Sequence, residues 1–206
     1  NLLAWGSDKV ENLVYSYEHL CGNSGLLEKQ AAELYCAETA LAYDDPAGDY
    51  NVKISANNTG GAEVTGENNF KYLELTTFEN DFSDILYGPV KLNETKVLKG
   101  DLNWGEGTDP TVRNTGNTRL RINIWQNDFG LGKTGDSWNL SYQAKVGAST
   151  DFINYLPEQT TALNGILELG QADSLNFSVL INKFPDSNSA YWGKMTLSAD
   201  KIEPLS

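Results

Sequence analysis

One histidine, His19, and two cysteines, Cys21 and Cys36, are the only imidazole and thiol groups in a chain of 206 residues. A His-rich or all-cysteine zinc centre needs more such ligands than these. Ser-His-Asp or Cys-His catalysis would have to run through His19 alone. That residue lies in Tyr15-Ser-Tyr-Glu-His-Leu-Cys21, which holds no nucleophile elbow and no base partner, so it reads as a surface or structural histidine. Carboxylates are abundant, 28 in all, but glycoside hydrolysis needs two of them set apart as acid and base. The sequence singles out no such pair. No catalytic residue is assigned, a secreted hydrolase is the least favoured function, and no cofactor is expected. Asp44, Asp45 and Asp49, with Pro46 and Gly48, form the one acidic turn that could hold calcium, because hard cations take several carboxylate and carbonyl oxygens from a flexible loop. The spacing is not that of an EF-hand, and a solvated turn is the preferred reading.

The tryptophans offer a different chemistry, stacking on sugars. Trp125 and Trp192 fall in expected strands and read as core, whereas Trp104 and Trp138, beside Gly105 and Asp136, and the nearby Tyr142 are the candidates for exposed contacts. A formal charge of −13 leaves no basic surface for phosphates, which argues against nucleic acid and anionic membranes as partners. No apolar run reaches the roughly 18 residues of a membrane-spanning helix. The first residue is Asn, with no charged or apolar leader before it, so a secreted product from which a signal peptide has been removed is expected. Cys21 and Cys36 then read as one disulfide, worth about 3 kcal/mol for a loop of that size. Asn57, Asn93, Asn139 and Asn176 each begin an Asn-x-Ser/Thr glycosylation sequon. These signs agree on an extracellular or cell-surface location.

The elements that would carry these residues are strands. Short alternating runs separated by Gly, Asn, Asp and Pro predict an all-β chain of antiparallel strands. Tyr50, Val52, Ile54 and Ala56 share one face before the turn Asn57–Gly61. Phe70–Phe78 is expected as a single strand covered on both sides. Leu120, Ile122 and Ile124 share a face, as do Leu175, Phe177 and Val179, and Tyr191–Ala199 is expected as the last strand. Asn114-Thr-Gly-Asn117 is expected to join Val112 to Leu120 in a tight hairpin, since Asn and Gly accept left-handed conformations. Residues 26–34 depart from this pattern: Leu27, Ala31 and Leu34 fall on one helical face, so a short helix is expected there, leading into a strand over 35–43. A boundary is placed near 76, between a smaller N-terminal β-rich module, 1–76, with the Cys21–Cys36 disulfide, and a complete sandwich, 77–206.

Three segments carry a resemblance. Cys36 to Ala56, with Asp45-Pro-Ala-Gly-Asp-Tyr-Asn-Val52 at its centre, resembles the Pro-x-Gly-x-Tyr-x-Val end of immunoglobulin-like modules in secreted archaeal surface proteins. Lys99-Gly-Asp101 and Pro110 to Leu120 are similar to the Asn-Thr-Gly-Asn element of the same class, and Leu169 to Leu197 is similar to its closing hairpin. The resemblance implies a surface-exposed immunoglobulin-like β-sandwich of the kind used in S-layers, adhesins and pilus-like fibres.

The N-terminal stretch sharpens this. Leu2, Leu3 and Trp5, and then Val10, Leu13 and Val14, form apolar strand-like segments. A segment of this kind can complete a sandwich in the next molecule by β-strand addition, and a head-to-tail contact that does not close generates fibres. The expected function is therefore a non-enzymatic structural subunit of an extracellular filament, a homopolymer whose partner is itself. The same segment could equally be the first strand of its own domain. The alternative function is a cell-surface carbohydrate-binding or adhesive module, or an S-layer-type component, whose partners are glycans.

Overall fold

The computed structural model describes residues 40–57, 59–105, 109–148, 150–184 and 190–202. Ala42–Ser206 forms one compact unit by itself. The boundary expected near residue 76 falls inside it. Cys21, Cys36, the helix expected over 26–34 and the donor residues Leu2, Leu3, Trp5, Val10, Leu13 and Val14 lie outside the described residues.

The described residues contain strands and no helix. Chain order gives β1 (Gly48–Asn57), β2 (Glu63–Tyr72), β3 (Phe78–Asn80), β4 (Thr95–Leu98), β5 (Thr111–Asn114), β6 (Leu120–Gln126) and β7 (Lys133–Thr134). There follow β8 (Ser137–Trp138), β9 (Leu140–Val146), β10 (Ile153–Tyr155), β11 (Thr161–Ala162), β12 (Ala172–Ile181) and β13 (Met195–Lys201). Every strand pair is antiparallel. One sheet runs β10-β9-β12-β5-β3, with β4 also on β12; the other runs β11-β6-β13.

Their inner faces make one core, because alternation puts one side of each strand out of water. Leu120, Ile122 and Ile124 of β6 meet Leu175, Phe177 and Val179 of β12, all at most 2% exposed. Both faces therefore point as the sequence requires. β12 is central in its sheet and its polar side is covered as well. There Asn176 donates from Nδ2 to Ser174 Oγ at 3.1 Å and accepts Gly100 N–H at Oδ1 at 3.2 Å.

Three expected elements differ from the structure. Asn114–Asn117 is not a hairpin, because β5 pairs with β12 and β3 while β6 pairs with β11 and β13. It is a crossover between the sheets. Asn114 Nδ2 donates to the carbonyls of Thr118 and Leu167 at 2.8 and 3.1 Å. A side chain at Gly116 would lie 2.1 Å from the Leu75 carbonyl oxygen, so close backbone approach is what selects glycine there. The strand expected over 70–78 is interrupted: Leu73–Thr77 lies between β2 and β3 and is held by Asn117. The Asn117 side chain accepts Leu75 N–H at 2.6 Å and donates to Leu73 O at 2.8 Å. Leu73 and Leu75 are exposed, so the stretch is not covered on both sides. Of the strand expected over 35–43, the described end is a turn instead, closed by Asp45 N–H to Ala42 O at 3.1 Å.

Among the described strands β1 and β2 pair with each other and with no third strand. The register Tyr50↔Phe70, Ile54↔Gly66, Ala56↔Val64 places Tyr50, Val52, Ile54, Val64, Phe70 and Tyr72 on one face of a two-stranded ribbon. Its other face carries Asn51, Lys53, Ser55, Thr65, Glu67 and Lys71 among others, all polar. At the root, Tyr50 and Tyr72 hydroxyls donate to the carbonyls of Pro46 and Ala42 at 2.7 and 3.2 Å.

Candidate functional site

β13 ends its sheet. Lys194 O accepts Asn127 N–H at 3.1 Å and Ile202 N–H reaches Arg119 O at 2.8 Å, so even-numbered residues of β13 bond to β6. By the antiparallel rule the N–H and C=O of Met195, Leu197 and Ala199 then point away from β6. The side chains of the same three residues face inward and are only half covered. Among the described residues no strand covers this edge, and a bare edge beside a half-covered face is the kind of surface on which a further strand can pair.

Beside this edge the two sheets stand apart around a cleft of about 840 Å³. Val179 and Ile181 of β12 line one wall and Met195 and Leu197 the other. Phe82, Ile85, Tyr87 and Val90 of the strandless stretch 81–90 pack against the core at this point. Among the described residues of the lining, Asp84 is the one that is charged. Most of the described lining side chains are thus apolar, with Asn80, Ser83, Asp84 and Gln126 among them.

Its floor is aromatic. Phe129 packs edge-on to Tyr142 at 5.4 Å, and Tyr142 stacks on Tyr155 at 5.2 Å. Tyr155 donates to Gln126 Oε1 at 2.7 Å and Tyr142 to the Asn127 carbonyl at 3.1 Å. The Tyr87 hydroxyl is buried and has no hydrogen-bond partner. Loss of water pushes the phenols of Tyr87, Tyr142 and Tyr155 well above the ordinary tyrosine range; neighbouring Tyr87 adds to the last two. Phe129 itself has φ 58°, a left-handed conformation that costs a bulky residue of order 1–3 kcal/mol. The mouth of the cleft is tied down beside it: Asn127 Oδ1 accepts Lys194 N–H at 3.0 Å, and Gly193 lies flat against the Phe129 ring, leaving no room for a Cβ.

The residues marked out in the sequence are scattered around this site. Tyr142 is fully buried in the floor and cannot stack on a sugar, because its alternation in β9 turns it inward. Trp104 and Trp138 are half-buried and each is covered by a cation, Arg113 at 4.3 Å and Lys133 at 4.2 Å from the ring centre. Trp125 is half-buried. Trp192, expected in the core, is instead 80% exposed at the cleft mouth, because β13 begins only at Met195. Asn57 and Asn93 are exposed. Asn139 and Asn176 are not available for glycans in the folded chain: Asn139 donates to Leu131 O at 2.9 Å and accepts Thr134 Oγ1 at 2.7 Å, and Asn176 is bonded inside β12 as above.

The acidic turn does not gather into a cation site. Asp45 Oδ2 accepts Ala42 N–H at 2.7 Å, Asp44 lies against Gly170, and Asp49 sits on the polar face of the ribbon. No group of three or more His, Cys, Asp or Glu side chains is brought together for a metal among the described residues. No helix among them is long and apolar enough to cross a membrane. The cleft itself went unmarked in the sequence, since 81–90 has neither strand nor helix period; its signal is five apolar residues, Phe82, Ile85, Leu86, Tyr87 and Val90, in a stretch without one. Comparison with family models, curated proteins and solved structures finds no match for this chain.

Proposed function

We propose that the chain is a non-enzymatic structural subunit of an extracellular filament, built by strand addition. The acceptor is the β13 edge with its cleft, and the donor is the apolar N-terminal segment of another copy, with Leu2, Leu3 and Trp5 or Val10, Leu13 and Val14 as the residues that fill the apolar space. The observation that carries the reading is the coincidence of two unfinished features in one place: Met195 and Leu197 direct backbone groups outward where their half-covered side chains line the cleft. An extended apolar segment is the one ligand that satisfies both, by main-chain hydrogen bonds along the edge and alternate side chains in the cleft. Two acidic chains repel over most of their surface, and the described lining, where Asp84 is the one charged residue, is a place where they can meet. The immunoglobulin-like resemblance and the exposed sequons Asn57 and Asn93 agree with a surface location.

Negative-stain electron microscopy of the full chain should show uniform fibres. Deleting Asn1–Ser7, or Leu197→Arg, should leave folded, dispersed copies. Fibres from both variants would sink the reading.

A second reading, an adhesive carbohydrate-binding module, draws support from Trp192, exposed at the cleft mouth. Dispersed wild-type copies retained on a glycan column, and released by Trp192→Ala, would favour it.

A further inference from the structure

The β1–β2 ribbon is a separate feature that strand addition at β13 leaves unused. One face is apolar except for Asn68, which lies across from Val52, and it stands in water: Ile54 is 63% exposed and Val64 72%. The other face is polar throughout. A two-stranded ribbon on its own is marginal in water, and an amphipathic one is made to be covered on one side. Over Gly48–Tyr72 the charges are Lys53 and Lys71 against Asp49, Glu63 and Glu67, so the ribbon is nearly neutral in a chain of net charge −13. It is a surface on which two copies of this acidic chain can approach without strong repulsion.

The relief of the apolar face identifies the cover. Ile54 is a ridge, and its cross-strand neighbour Gly66 is a hollow, with nothing within 4 Å of where a Cβ would stand. Tyr50 stacks on Phe70 at 5.3 Å, nearer the root. A two-fold axis running along the ribbon, between two copies laid face to face, puts each Ile54 over the other's Gly66 and each Tyr50 over the other's Phe70. We infer that the occupant of this face is the same ribbon of a second copy, giving a four-stranded, isologous sheet-on-sheet contact.

The contact is small. Ten residues per strand at ~3.3 Å rise and a width of ~10 Å give on the order of 300 Å² per copy, against the ~800 Å² per partner of a stable complex. It therefore forms at high local concentration, as where many copies are lined up in one assembly, and is weak between dispersed copies.

The test replaces Ile54 by the diazirine analogue of leucine in the full chain and irradiates a mixture of isotope-labelled and unlabelled copies over a concentration series. Mass spectrometry then maps the adducts. Adducts between differently labelled copies, joining position 54 to the peptide around Gly66 and rising with concentration, are expected. In a chain that also carries Gly66→Val they should fall at least tenfold, while circular dichroism and the melting temperature stay those of the parent, since a Cβ is accommodated there. Adducts within one copy only, adducts to the β13 cleft of a second copy, no adducts between copies, or adducts unchanged by Gly66→Val would each overturn the inference. Its failure leaves the filament reading standing, because the deletion of Asn1–Ser7 does not touch the ribbon.

Discussion

β12 and β1 are both ten-residue strands of alternating apolar and polar residues, and they end in opposite environments. Phe177 and Leu175 are wholly buried between two sheets, while Val52 and Ile54 stand exposed on a ribbon with no second layer. Alternation therefore specifies which side chains share a face, and it does not specify what lies on that face. Coverage depends on topology: β12 has β9 on one side and β4 and β5 on the other, with β6 packed across the core, whereas among the described strands β1 pairs with β2 alone.

The contrast between the two strands is easiest to break at two aromatic residues. Phe177→Ala should cost about 3–5 kcal/mol in chemical denaturation, the range for an enclosed core phenylalanine. Phe70→Ala on the ribbon should cost under about 1 kcal/mol in dispersed copies, because its face is already in water. Equal losses would mean the ribbon is covered in the single chain.

Alkali should act on the sandwich. The phenols of Tyr87, Tyr142 and Tyr155 are raised by burial, so above about pH 10 the unfolded chain loses protons that the folded chain keeps. The unfolded state then binds fewer protons, and stability falls as pH rises, by about 1.4 kcal/mol per pH unit for each such tyrosine. Below about pH 9 these groups give no dependence. Denaturation midpoints measured from about pH 7 to 11.5 check both the sign and the onset.

Asn117 ties the link between ribbon and sandwich, so Asn117→Ala leaves its backbone partners at Leu73 and Leu75 unmet and should cost about 1–3 kcal/mol. It should also speed hydrogen exchange in 70–77 more than in β12. Tyr87→Phe works in the other direction. Removing a buried hydroxyl that has no partner should raise stability by about 1 kcal/mol, read as a higher denaturant midpoint at unchanged slope.

The strands at β6 and β12 were legible because their apolar faces repeat every second residue and both sides are bounded by turn residues. β13 was legible as a strand, but its start was not, since Tyr191 and Trp192 continue the apolar pattern while the backbone before Met195 is committed to Phe129 and Asn127. Asn114-Thr-Gly-Asn117 misled for a reason of scale: the residues describe a local turn, and only the register of β5 and β6 with distant strands makes it a crossover. The buried sequons at Asn139 and Asn176 show the same limit. Their three-residue pattern is local, whereas the bonds that hold them inside come from Leu131, Thr134, Ser174 and Gly100. The bare edge of β13 could not be read at all, since an edge is defined by which distant strands pair with it, and the local residues do not say.

Hydrogen exchange at Leu197 and Ala199 tests the account most directly. Mass spectrometry on the full chain, with and without an added synthetic peptide of residues 1–17, reads these outward-pointing amides one segment at a time. Added peptide should slow them at least tenfold while β12 amides, already protected, stay unchanged. Exchange at β13 that is indifferent to the peptide at saturating concentration would contradict strand addition at this edge.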